Sequence, residues 1–169
     1  MIQDKYAKII LAFFGISLLL IVITPLLYPA GTFIKLDGKP MVLDHDWGSY
    51  GAGGIVYAIG DILCHQEGAR TFFLNSNQLP FCIRDVGLLI GFVIGLAVVL
   101  RNSLSSRDNR KLLLGLILLV PTAAEYAVEH TFDMDLPELR FILGIVSGFG
   151  AALIVGYALY KNAGQDAPL

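Results

Sequence analysis

The sequence predicts an all-α integral membrane protein, with four transmembrane helices and a short re-entrant or interfacial helix before Cys64. Two observations predict it. The 169-residue chain is 56% hydrophobic and only 15% charged, with a mean hydropathy of +0.69, whereas soluble domains run nearer half apolar and a quarter charged. The charges are also unevenly spread, leaving several windows nearly free of them, and about 20 apolar helical residues cross a hydrocarbon core of about 30 Å. The lipid bilayer is therefore the expected surroundings. A net charge of −2 without a basic cluster beside aromatics gives nucleic acid no footing.

The first span is expected over residues 7–28, with Pro25 near its end. Its apolar run is longer than a secretory core, and "PLLYPAG" offers no good cleavage site, so it reads as a retained helix. The second span, 86–100, is short, which predicts a start a few residues earlier or little tilt. The third covers 112–131 and the fourth 141–160. Together these make a single multi-pass domain over 1–169, with a long segment, 29–85, outside the spans. Within that segment "SYGAGGIVYAIGDILC" (49–64) holds four glycines and an aspartate. Its compact part rises only about 20 Å, which favours a re-entrant or interfacial helix over a crossing one.

Lys and Arg in short flanks set orientation. With four spans, Lys5, Lys8, Arg101, Arg107, Arg110, Lys111 and Lys161 share one side, against Lys35, Lys39, Arg70, Arg84 and Arg140 on the other. The "RNSLSSRDNRK" loop marks the cytoplasm, placing both termini inside and segment 29–85 outside. If 49–64 crosses, the N-terminus moves outside, but the Cys64–Cys82 stretch stays external.

Gly87, Gly91 and Gly95 recur every four residues on the second span, and Gly144 and Gly148 on the fourth, extended by Ala152. Small residues at this spacing let helix backbones approach closely in lipid. Packing within the bundle is the simpler reading; a homo-oligomer seam is the alternative.

Ionisable residues inside spans are costly and usually face the bundle interior. Pro121, Glu125 and Glu129 are four apart in "PTAAEYAVEH" and share one face. Glu125 lies about 20 Å and Glu129 about 26 Å along the third span, in its outer half, followed by His130. Pro121 frees a carbonyl and bends the helix one turn before Glu125.

"ILCHQ" joins Cys64 and His65 at the end of the glycine-rich helix, and the other cysteine, Cys82, follows in "PFCIRD". At spacings of three and four, Asp61, Cys64 and His65 share one helical face at the outer membrane surface, the depth expected for Glu129, Cys82 and Asp85. Thiolate, imidazole and carboxylate suit a four-coordinate zinc site, for which Cys64, His65, Cys82 and Asp85 would be the ligands. The rival is a Cys64–Cys82 disulfide on an oxidising face, stabilising by about 3 kcal/mol. Two reduced cysteines that only pack form a third reading. No C-x-x-C pair exists for thiol–disulfide cycling.

Here the sequence resembles a family of small bacterial and archaeal membrane proteins, domain of unknown function 2085. The resemblance rests on "CHQ" (Cys64, His65, Gln66), "RTF" (70–72), "CIRDVG" (82–87), then Pro121, Glu125 and Glu129, and finally "LRFILGIVSG" with Leu139, Arg140, Gly144 and Gly148. It covers roughly 55–150 in order. Two positions depart from the family pattern: Asp85 stands where the family has a second knuckle cysteine, and the third-span aspartate and glutamine are glutamates. The resemblance implies a prokaryotic cell-membrane protein and favours a metal, zinc or another divalent ion, over a single disulfide. It implies a fold and a site but no reaction.

Three functions follow as expectations. The first is an outer-face divalent-metal site on Cys64, His65, Cys82 and Asp85, structural or hydrolytic, with Glu125 or Glu129 as general base in the hydrolytic case. The second is an ion or solute transport element using Glu125, Glu129 and Arg140. The third is an accessory or structural subunit with a Cys64–Cys82 disulfide, its carboxylates paired with Arg84 or Arg140. "GAGGIVYAIG" lacks the strand and lysine of a phosphate loop and reads as packing glycine. Trp47 is expected to anchor the interface, and His45 with Asp44 and Asp46 to be a solvated loop.

Overall fold

The structure, a computed structural model, describes residues 2–101, 109–132 and 136–161. Four long helices dominate it: α1 (Ile2–Leu27), α3 (Ile83–Arg101), α4 (Asn109–Phe132) and α5 (Pro137–Tyr160). Each carries a window long and apolar enough to cross a membrane, with mean hydropathy between 1.7 and 2.8. All four expected spans are present, and α3 begins at Ile83, three residues before the expected Val86. The glycine-rich piece is helix α2 (Gly51–Leu63), whose 13 residues are too few to cross. The charged loop used for orientation lies mostly outside the described residues.

The chain divides into two compact units, Met1–Gly15 with Gly87–Leu169, and Ile16–Val86. In the first, glycines set the helix contacts. A Cβ on Gly87 would press on the Phe141 carbonyl, one on Gly91 would collide with the Ile145 backbone, and one on Gly148 with the Leu88 carbonyl. The glycine stripes of α3 and α5 thus lie against each other's helix within the chain. Gly115 and Gly150 play the same part between α4 and α5. A methyl group at such positions would hold the backbones apart, and close van der Waals contact is a main source of helix association in lipid. Phe14 meets Phe92 edge-on at 4.8 Å, beside the buried Leu96 and Ala152.

Several polar residues of the spans are paired. Arg140, only 2% exposed, places Nη2 2.7 Å from Glu129 and Nε 3.6 Å from Glu125. The two glutamates do share a face of α4, and that face meets α5. Thr122 hydrogen-bonds the Leu143 carbonyl (2.9 Å) and the Ser147 hydroxyl. Tyr160 donates to Asp4 (2.7 Å) and Tyr157 to Asn109 (2.9 Å).

The second unit is built around buried amides and aromatics. Phe33, Trp47 and Tyr57 form its apolar centre, with Phe33 stacked on Tyr57 at 3.8 Å. "FLNSNQ" folds as a hairpin of β1 (Phe73–Leu74) and β2 (Asn77–Gln78), its turn residues Asn75 and Ser76 at φ 52° and 56°. Positive φ at both central positions is the primed turn that tight hairpins require.

The hairpin delivers Asn77, whose amide donates to the carbonyls of Pro25 (2.8 Å), Pro29 (3.0 Å) and Tyr28 (3.3 Å) while its oxygen accepts from Phe33 N–H (2.9 Å). The last carbonyls of a helix lack intrahelical partners, and Asn77 supplies one for Pro25 on α1. Gln78 and Gln66 continue the network. Tyr57 O–H donates to the Gln78 carbonyl (2.5 Å), and Gln66 donates to the carbonyls of Tyr57 and Pro80, each at 3.0 Å.

Candidate functional site

Cys64, Cys82 and Asp85 come together in the second unit. Ligand atoms of all three lie within 4.8 Å of one another. Three successive local structures deliver them. Helix α2 stops at Leu63, and Cys64 caps it in an extended conformation (φ −139°, ψ 154°) while its N–H still bonds the Gly60 carbonyl at 2.7 Å. Cys82 directly precedes α3, and its carbonyl takes the Val86 N–H at 3.0 Å. Asp85 sits in the first turn of α3, where the helix dipole favours an anion.

The early stop of α2 corrects one expectation. Asp61, Cys64 and His65 do not share a helical face, because the chain turns extended at Cys64. Asp61 and Cys64 are buried, whereas His65 points out, is exposed, and lies outside the three-residue group. The neighbouring Gln66 takes a positive φ of 48° and is wholly buried. That reversal throws His65 outward.

The sulfur of Cys64 sits in a ring of donors. Cys82 N–H donates to it at 3.3 Å. The Cys82 S–H has two acceptors in reach, the Cys64 sulfur and the Asp85 carboxylate at 3.1 Å. The bond from Cys82 is the main influence lowering the Cys64 pKa below the ordinary thiol value; burial opposes it, and the Gln66 backbone N–H helps. Cys82 moves the opposite way, raised by Cys64 first, then by burial and the Asp85 charge. Both cysteines are free thiols here. Two cysteine sulfurs and a carboxylate are a donor set that a soft or borderline divalent cation would complete on displacing the thiol protons, since thiolate is the ligating form.

The predicted glutamates belong to the other unit. Glu125 and Glu129 are held by Arg140, and the side chain of His130 lies outside the described residues.

A family model described as "predicted membrane protein (DUF2085)" matches residues 64–154, more than half of the chain. The chain belongs to that family. The matched stretch opens on Cys64 itself and takes in Cys82, Asp85, Glu125, Glu129 and Arg140. The chain is also similar to the uncharacterized protein MJ1492 of Methanocaldococcus jannaschii, 28% identical over 102 residues. That alignment covers 56% of this chain and 62% of the relative's length. No solved structure matches.

Sequence reasoning missed three features of this unit. Trp47 does not anchor an interface: it is 7% exposed and donates its indole N–H to Asp61 at 2.7 Å. His45 and Asp44 do not form a merely solvated loop, since they stand against the same Asp61. The buried amides Gln66, Asn77 and Gln78 carried no periodic signal. Only the "NSN" turn chemistry could have pointed to the last two.

Proposed function

We propose that this membrane protein holds a divalent cation of the zinc class on Cys64, Cys82 and Asp85. The convergence of two sulfurs and a carboxylate within 4.8 Å carries the reading. With His65 turned outward, the set supplies three ligands and leaves a fourth position, as in catalytic rather than closed structural zinc sites. Such a cation would polarise a bound water or a carbonyl oxygen. The chain's part is to fix the donors: the end of α2 presents Cys64, the first turn of α3 presents Asp85, and the backbone N–H of Cys82 steadies the thiolate.

The lysine and arginine distribution supports segment 29–85 facing away from the cytoplasm of a prokaryotic cell, with both termini inside. An outer-face site fits hydrolysis at the lipid surface. The pairing of Glu125 and Glu129 with Arg140 favours a bundle-locking role for those glutamates over a general-base or ion-path role.

Elemental analysis of protein purified in detergent without chelators tests the reading. Near-stoichiometric zinc, lost in Cys64→Ser and in Asp85→Asn, is expected. Wild-type protein free of every transition metal, with Cys64 and Cys82 oxidised to a disulfide, would refute it.

A further inference from the structure

The second unit carries another group of donors that belongs to neither the cysteine site nor the matched family segment. Asp61 on α2 is wholly buried. Its Oδ2 accepts the Trp47 indole N–H at 2.7 Å, while Oδ1 has no hydrogen-bond partner among the described residues. A buried carboxylate with one neutral donor is costly unless a cation compensates it.

Two further donors face it. His45 Nδ1 lies 3.6 Å from Asp61 Oδ2 and 2.7 Å from Asp44 Oδ1. Ligand atoms of Asp44, His45 and Asp61 all fall within 4.8 Å of one another. Three donors this close together can all reach one ion at the usual bond lengths of about 2.0–2.2 Å with small side-chain adjustments.

The backbone closes tightly around this group. Met41 N–H bonds the Ile62 carbonyl at 2.9 Å, bringing the preceding turn back to the end of α2. Gly38 then passes so close that a Cβ there would stand 2.5 Å from Asp61 Oδ1 and 3.3 Å from Asp44 Oδ1. Gly38 thus packs directly against oxygens of both carboxylates, with no side chain of its own between them. Asp44 is fixed from behind, its Oδ2 taking the Lys39 N–H at 3.2 Å. His45 also lines a cleft of about 360 Å³ with Thr32, Phe33, Trp47 and Tyr50, which gives an approach from solvent.

We propose that Asp44, His45 and Asp61 form a second cation site, one that takes a hard or borderline divalent ion of the Mn2+ class. A divalent ion would balance the two carboxylates and take the imidazole nitrogen as a third ligand. Two carboxylates with one imidazole suit Mn2+ better than the sulfur-rich group at Cys64 does, because thiolates select softer metals.

The test uses full-length, chelator-treated protein in detergent, titrated with Mn2+ and followed by the electron paramagnetic resonance signal of the free ion. Wild type is expected to take up one Mn2+ per chain. Binding should weaken by about tenfold or more in His45→Ala and in Asp61→Asn, which keeps an acceptor for Trp47, and should be unchanged in Cys82→Ser. His45 is partly exposed, so His45→Ala decides the matter even if Asp61→Asn fails to fold. No Mn2+ uptake by wild type, or equal uptake by His45→Ala, overturns the proposal and leaves His45 as the charge partner of the two aspartates. Loss of uptake in Cys82→Ser overturns it too, by moving the ion to the other site.

Discussion

The backbone N–H of Cys82 donates to the sulfur of Cys64 across 3.3 Å, joining the end of α2 to the start of α3 between residues 18 positions apart. That contact aims a fixed dipole at one sulfur and leaves the other thiol to share its proton with Asp85. The two cysteines are therefore chemically unequal, although the sequence presents them as a pair.

The inequality predicts a pH profile. In metal-free protein, alkylation of Cys64 followed by mass spectrometry should show a midpoint below the ordinary thiol value of about 8.5, and Cys82 a midpoint above it. A lowered folded-state pKa contributes stability that is present above the ordinary value and lost as pH falls through the folded one; a raised pKa does the reverse. Replacing Cys82 by Ser should move the Cys64 midpoint upward, since Cys82 is its main lowering influence. Identical midpoints for both thiols would contradict this.

Arg140 is placed to be indispensable to the first unit. Arg140→Met leaves Glu125 and Glu129 buried without the guanidinium that faces them, and removing one partner of a buried ion pair costs about 3–5 kcal/mol. Thermal unfolding in detergent should show that loss. Converting both glutamates to Gln in the same background should restore much of it. An unchanged melting temperature in Arg140→Met would mean the pairing contributes nothing.

Gly91 and Gly15 make a matched comparison. A Cβ on Gly91 collides with the Ile145 backbone, whereas one on Gly15 meets nothing within 4 Å. Gly91→Ala should cost about 1–3 kcal/mol by forcing α3 and α5 apart. Gly15→Ala should be neutral or mildly stabilising, because alanine is the better helix former. Equal effects at the two positions would show that the glycine stripe is not a packing device within the chain.

Asn77 tests the second unit. Asn77→Ala leaves the Phe33 N–H and the Pro25 carbonyl of α1 without the partner Asn77 gives them, while the Tyr28 and Pro29 carbonyls keep Asn75 and Thr32 as donors; each buried group left without a partner costs about 1–3 kcal/mol. Asn77→Asp keeps the acceptor for Phe33 but turns a charged oxygen toward three carbonyls, and should be worse. Hydrogen exchange at Phe33 would report the first variant directly, as faster exchange there than in wild type.

The spans were legible because length, hydropathy and charge windows are local quantities. The contact between Glu129 and Arg140 was half legible: a four-residue spacing put the glutamates on one face, and Arg140 was one of two candidate partners. The glycine stripes announced close packing without naming the facing helix. What stayed hidden depends on distant parts of the chain. Asn77 reaches back 52 residues to Pro25, and no pattern in "NSNQ" says so. The helix ending at Leu63 was equally hidden. "GDILCHQ" reads as a continuing helix until Gln66, with its positive φ and buried amide, reverses the chain. The group at Asp44, His45 and Asp61 was missed because its members come from a loop and a helix that only the fold brings together.

The central claim is that Cys64, Cys82 and Asp85 hold a metal. Its most direct measurement is metal content and free-thiol count on one sample of wild-type protein, the thiols being counted after chelation and unfolding. The proposed site predicts close to one zinc-class ion per chain together with two free thiols. No metal and no free thiol, the signature of a Cys64–Cys82 disulfide, would contradict it.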